Sequence, residues 1–228
     1  MKNKKHLIIY LVISFLLIGL ILGFSLNIYS KKALDNEVKS ILRKDISKDK
    51  FNTKTKSLFN HGKVEKAIKE YMKDYSSHIK KANDIINDET IKVILSSSNY
   101  ETDGPKFEKS LKLLEEKTTV FKDTITKLLK MTDEKEIMKY IEKYKLSNKY
   151  IELYKKYMFG NEYKNDIEKN KNIINNINDT GLKILNTDTS VLKLLKDNSE
   201  GWVMKEGTIS FYSKDLMEQY NNLIQNIK

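Results

Sequence analysis

Residues 64–86, VEKAIKEYMKDYSSHIKKANDII, place Val64, Ile68, Tyr71, Tyr75, Ile79, Ala82 and Ile86 at intervals of four, three, four, four, three and four. That spacing puts all seven on one stripe of a long helix, with lysines and carboxylates on the opposite face. A second stripe follows in Phe107, Leu111, Leu114, Thr118, Phe121, Ile125 and Leu128, strictly alternating four and three. Two amphipathic helices of this length must bury their stripes against other helices, so the expected fold class is mainly α, built as a helical bundle. The polar Thr118 in mid-seam, and a run of only about three heptads, favour packing within one chain over a coiled-coil dimer.

Between the stripes, SSSNYETDGP at 96–105 breaks the helix, and Gly104-Pro105 suggests a turn with proline at the first helical position. Residues 132–159 read as two shorter helices interrupted around Leu146–Asn148, with Gly160 ending the second. A further helix is expected from Glu162 to Leu185, weakened near its end by Gly181. TDTSVLKLLKDNSEG then reads as a separate short helix. WVMKEGTISFY, around Glu206-Gly207, predicts a small hairpin near 202–212, with Trp202 plugging it onto the helices. Ser213 is a candidate N-cap for a last helix carrying Leu216, Met217, Tyr220, Leu223 and Ile224 inward.

Upstream, Leu7 to Ser30 contains no charge and no proline. At about 1.5 Å per residue such a helix measures roughly 36 Å, enough for a hydrocarbon core of about 30 Å. The run continues past Gly23-Phe24-Ser25, the best site for signal cleavage, so its length favours a retained signal-anchor over a cleaved signal peptide. Residues 1–6 are then a short tail, 7–30 a single transmembrane helix, 31–57 a stalk and linker, and 58–228 the helical domain. Leu34, Val38 and Ile41 give the stalk an amphipathic face, whereas KDISKDKFNTKTKS at 44–57 has no clear period. Lys2, Lys4 and Lys5 precede the span, and Lys31, Lys32, Lys39, Arg43 and Lys44 follow it, so the positive count alone does not orient it. A basic tail before a first apolar segment, and the ease with which long domains translocate, favour the bulk of the chain outside the cell membrane. A cytosol-facing tether is the alternative.

The net charge is +11, yet every basic residue except Arg43 is lysine. Specific base and phosphate recognition favours the arginine fork, so nucleic acid is not an expected partner. The expected partners are the lipid bilayer and either an envelope protein or an anionic wall polymer. Heavy Lys, Asn and Ile usage suggests an AT-rich bacterial source. There is no cysteine, which removes disulfides, thiolate nucleophiles, thiol-held metals and lipidated cysteine.

His6, His61 and His78 form no metal-binding spacing, and His78 reads as a packing residue. No serine nucleophile motif or phosphate-cradling glycine loop is present. No cofactor, metal or catalytic residue is therefore assigned, and the expectation is a non-enzymatic interaction or scaffold module, with an envelope hydrolase as a further alternative. Tyr140, Tyr144, Tyr150, Tyr154, Tyr157 and Tyr163 cluster among lysines. Tyrosine supplies a broad ring and a polar tip at low entropy cost, so Tyr150, Tyr154, Tyr157 and Trp202 are candidates for an interaction surface, with core stripes as the competing reading. The layout is similar to that of receptor-like helical sensor domains, although no second apolar run appears before Lys228.

Overall fold

The structure is a computed structural model that describes residues 23, 25–44, 46 and 49–225. It is mainly helical, with one C-terminal antiparallel hairpin. Helix α1 covers 25–42. It is followed by α2 (Phe59–Ile86), α3 (Glu89–Lys92), α4 (Ser97–Asp103), α5 (Glu108–Lys130), α6 (Glu134–Glu142), α7 (Asn148–Phe159) and α8 (Asn161–Asp197). Strands β1 (Trp202–Lys205) and β2 (Thr208–Phe211) and helix α9 (Lys214–Gln225) complete the chain. Of the expected membrane span at 7–30, residues 7–22 and 24 lie outside the described residues, and 25–30 form the first turns of α1. Among the described residues no helix is long and apolar enough to cross a membrane.

The chain divides into two compact units, one up to Ser76 with Asp133–Asn165, the other Ser77–Thr132 with everything from Asp166 on. Helices α2 and α8 contribute to both. Val64, Ile68, Tyr71 and Tyr75 of the α2 stripe are buried in the first unit, and Ile79, Ala82 and Ile85 in the second. Ile85, rather than the expected Ile86, carries the stripe's last buried position.

In the first unit the segment expected to be a stalk and linker is packed. Leu34, Val38 and Ile41 of α1 are buried, as is Phe51 in the irregular stretch that follows. That stretch has no helix or strand to satisfy its backbone, so its N–H groups need partners from elsewhere. Glu65, fully buried on α2, supplies them: it accepts from the Lys56 N–H at 2.9 Å, from the Ser57 N–H at 2.7 Å and from the Ser57 hydroxyl. Lys69, one turn further along α2 and itself only 4% exposed, pairs with Glu65 and with Glu37 of α1, each at 2.8 Å, and donates to the Lys54 carbonyl. Lys56 closes the circuit onto Glu37 at 2.6 Å. The period-free sequence is thus a strap held by one carboxylate.

The second unit is built on α5 and α8. Phe107, Leu114, Phe121, Ile125 and Leu128 are buried, whereas Leu111 and Thr118, from the same stripe, are only half-buried. Helix α5 starts at Glu108, not at Pro105. Its cap comes from Asp103, whose carboxylate accepts from the Ser110 N–H at 2.8 Å and the Lys109 N–H at 3.3 Å. The break expected after Leu185 is absent: α8 runs unbroken to Asp197. Its polar run does not stop it because Thr189 returns its hydroxyl to the Leu185 carbonyl at 2.7 Å, one turn back, leaving the backbone ladder intact. Gly181 has a packing reason within α8. A Cβ there would lie 2.3 Å from Cζ of the Phe121 ring.

The hairpin forms as expected, with Trp202 opposite Phe211 and Lys205 opposite Thr208. Glu206 (φ 49°) and Gly207 (φ 74°) both lie in the left-handed region that a two-residue hairpin turn requires. Ser213 caps α9 through the Leu216 N–H at 3.1 Å. Of the apolar residues expected to face inward on α9, only Leu216 is buried, while Met217 is 40% exposed.

Replacing Glu65 with alanine leaves Lys69 buried with one partner fewer and orphans the strap's N–H groups, so a loss of about 3 kcal/mol is expected in urea unfolding. Burial pulls the Glu65 carboxyl upward, but Lys69, the Ser57 hydroxyl and the N–H groups of 56 and 57 outweigh it and hold it below its ordinary 4.5; Glu37 is likewise held low by Lys56 and Lys69. The folded state therefore binds these protons less tightly than the unfolded chain. Their stabilisation is present above pH 4.5 and drains away as pH falls below it, with a shallower acid slope in the Glu65→Ala protein.

Alanine for glycine inside a helix normally adds about 1 kcal/mol of stability. At position 181 the sign reverses, because the new methyl strikes the Phe121 ring. Gly181→Ala is expected to lower the melting temperature, and Phe121→Leu in the same chain to recover part of the loss; a more stable single variant would contradict this packing.

Candidate functional site

Helices α5 and α8 enclose an open groove of about 630 Å³ in the second unit. On α8, Asn186, Thr189, Lys193 and Lys196 recur at three- and four-residue intervals and form one polar face. On α5, Lys112, Glu115, Thr118 and Lys122 do the same, with Leu111 on the floor. The groove lies where the apolar seam lapses, at Leu111 and Thr118. Lys112, Lys122, Lys193 and Lys196 are all exposed, and among the described residues no ion pair holds any of them. Glu108 and Glu115 also line the groove. Four ammonium groups against two carboxylates leave a positive excess beside hydroxyl and amide groups. Such a lining suits an extended anion bearing hydroxyls, which takes charge from lysine and hydrogen bonds from threonine and asparagine.

The four aromatic candidates are placed differently from a shared surface. Tyr154 is fully buried in the first unit and donates to the Ile137 carbonyl at 2.9 Å, joining α7 to α6. Trp202 is 7% exposed in the second unit, stacked on Phe107 at 5.9 Å, with its indole N–H donating to the Leu195 carbonyl at 2.8 Å. Neither ring can be offered to a partner in this conformation, because apolar area that size is worth more in the core. Tyr157 is half-buried, with its hydroxyl on Asp35 of α1. Tyr150 is half-buried with its ring edge against His61 at 5.2 Å.

Tyr140 and Tyr144 are engaged within the first unit as well. Tyr140 donates to Asp74 and Tyr144 to Glu70, both at 2.9 Å. Lys143 lies over both rings and pairs with Glu70 at 2.6 Å. Tyr140 on α6, Tyr144 in the turn after it and Tyr157 on α7 reach carboxylates of α1 and α2, and burial together with those carboxylates pushes the three hydroxyls upward in pKa. Tyr140, Tyr144, Tyr154 and Tyr157 are thus polar-tipped clamps within the first unit. Tyr75, by contrast, buries a hydroxyl that has no hydrogen-bond partner among the described residues.

Asp188 of α8 is 4% exposed, and burial pushes its carboxyl up to about 7. Burial, then the 3.1 Å hydrogen bond shared with Tyr220, pushes the Tyr100 hydroxyl upward, and Asp188 adds the smallest contribution. Asp188 does not line the groove. His61 is held below its ordinary value, first by burial and then by Lys149 and Lys31. Among the described residues no group of three or more His, Asp or Glu side chains is arranged to hold a metal ion.

Comparison with protein-family models, with curated proteins and with solved structures finds no match for this chain.

Proposed function

We propose that the protein is a membrane-anchored helical binding module of a bacterial envelope, held by residues 7–30, with its helical units outside the cytoplasmic membrane and the α5–α8 groove as its ligand-contacting surface. The observation that carries this reading is the groove itself: four lysines with no ion pair among the described residues, on two helices, set among threonine and asparagine. An anionic wall polymer with repeating phosphates and hydroxyls matches that lining better than a folded protein partner, for which an apolar centre would be the usual anchor. Lysine suits a repeating polyanion because it acts as a mobile point charge, with no demand for a planar bidentate fit. The module is read as non-enzymatic because the groove offers charge and hydrogen bonding. The perturbed carboxyl of Asp188 lies outside the groove.

The cytosol-facing tether keeps one specific observation in its favour, the cluster of Lys31, Lys32, Lys39, Arg43 and Lys44 immediately after the apolar run.

The groove is tested with the full chain in detergent and soluble poly(glycerol phosphate) as the probe. Binding is expected to weaken steeply with salt, and Lys122→Glu with Lys193→Glu is expected to lower affinity about tenfold or more while leaving the melting temperature unchanged. Unchanged affinity in that variant would remove the groove from the reading.

Topology is tested separately, using the absence of native cysteine. A cysteine at Ser199, in the exposed turn after α8, is expected to react with a membrane-impermeant maleimide on intact cells, and a cysteine at Asn3 is not. The reverse pattern would turn the protein round and make the cytosolic tether the reading.

A further inference from the structure

The end of the first unit where α1 begins is assembled from three separate parts of the chain. Ser30 of α1 is fully buried, and its hydroxyl both donates to the Leu58 carbonyl and accepts from the Leu58 N–H, each at 2.8 Å. That reciprocal pair fastens the start of α2 to the start of α1. Around it the surface is apolar: Leu26 is 42% exposed, Ile28 54%, Tyr29 62%, Leu58 41% and Phe59 72%. Phe59 also has φ 51°, a left-handed conformation that is uncommon for a bulky residue and costs about 1 kcal/mol or more. A strained backbone that leaves a phenyl ring in water returns nothing to the fold itself.

Beside this apolar rim lies a pocket of about 360 Å³, lined by Asn27, Ile28 and Lys31 of α1, by His61 of α2 and by Lys149 and Lys156 of α7. Glu152 shares the pocket but is paired with Lys155 at 2.9 Å. Among the described residues no ion pair holds Lys31, Lys149 or Lys156. The rim and the lysines therefore converge on one end, and the chain that leaves it leads directly into the uncharged residues 7–22.

We propose that this end of the first unit is a lipid-facing surface, on which Lys31, Lys149 and Lys156 engage the phosphates of anionic headgroups while Tyr29 and Phe59 enter the interfacial layer of the same bilayer. The proposal rests on the reading of residues 7–30 as an anchor and deepens it, because Phe59, Lys149 and Lys156 belong to parts of the chain that an anchor alone does not bring to the membrane. Charge complementarity selects the occupant. Lysines with no ion pair among the described residues, Lys149 lying over the Tyr150 ring, sit beside exposed aromatic and aliphatic side chains and match the headgroup boundary, where phosphates lie beside acyl chains and aromatic rings concentrate. A second copy of the chain would bring the same lysines against one another.

The test uses the full chain with Phe59→Cys, labelled with an environment-sensitive fluorophore and incorporated in nanodiscs of phosphatidylcholine alone or mixed with phosphatidylglycerol. With phosphatidylglycerol present the emission is expected to shift to the blue and to be quenched by nitroxide-bearing lipid. Lys31→Gln, Lys149→Gln and Lys156→Gln together are expected to abolish most of that shift, while the far-ultraviolet circular dichroism stays unchanged. A chain that stays with the discs while the probe reads as water in both lipids overturns the docking and leaves the anchor standing. A chain that washes off the discs in urea overturns both. A blue shift that depends on the number of chains per disc, and not on lipid charge, overturns the docking in favour of self-association.

Discussion

The arrangement of the first unit depends on the buried carboxylate of Glu65. An irregular strap of chain cannot be packed against helices unless its N–H groups find acceptors, and a carboxylate offers more lone pairs in one place than any other side chain. Burying it is costly, and that cost is offset only because Lys69 lies one turn away and Glu37 balances the lysine from α1. One group thereby fixes α1, the strap and α2 together. Without it the Lys56 and Ser57 N–H groups would lose their acceptor and Lys69 one of its two carboxylates.

That circuit explains why parts of the fold were legible in the sequence and others were not. The α2 and α5 stripes, the interruption between α6 and α7, the Glu206-Gly207 hairpin and the Ser213 cap all depend on neighbours within a few residues, and periodicity or turn chemistry reads them directly. The strap depends on a glutamate eight residues further on, which looks like any other charged position on a helix. The tyrosines depend on partners further away still. Tyr140 meets a carboxylate 66 residues distant and Tyr157 one 122 residues distant, so a cluster that reads locally as a surface becomes a set of clamps. The break expected in α8 failed for the opposite reason. Asn186-Thr187-Asp188-Thr189-Ser190 has the composition of a loop, but Thr189 bonds within the helix and Asp188 is buried, so its polarity marks a face and not an end.

The same polar run makes the groove. Helices α5 and α8 come into close contact at Gly181, where the absence of a side chain admits the Phe121 ring, and the apolar seam then lapses at Thr118 and Leu111 opposite the polar face of α8. Only the α5 half of this was visible beforehand, as one threonine out of place in a heptad. Its significance required knowing that α8 continues unbroken past Leu185, so that Asn186, Lys193 and Lys196 stand on the same helix as Gly181.

Lysine without arginine gives the two basic surfaces a common character. A guanidinium in place of Lys69 would present a planar fork to two carboxylates that approach from different helices, whereas an ammonium can point its donors at Glu65, at Glu37 and at the Lys54 carbonyl together. Within the core, therefore, lysine serves as a three-way connector. On the surface the same side chain, with no ion pair among the described residues along the groove and around the α1 end, is a mobile positive charge. Where an acidic partner stands within reach the charge is paired, as by Glu70 of α2 for Lys143 after α6, or by Glu152 for Lys155 along the same helix. The position of the carboxylates thus separates the paired lysines from those that leave surplus positive charge along the groove and beside the α1 end.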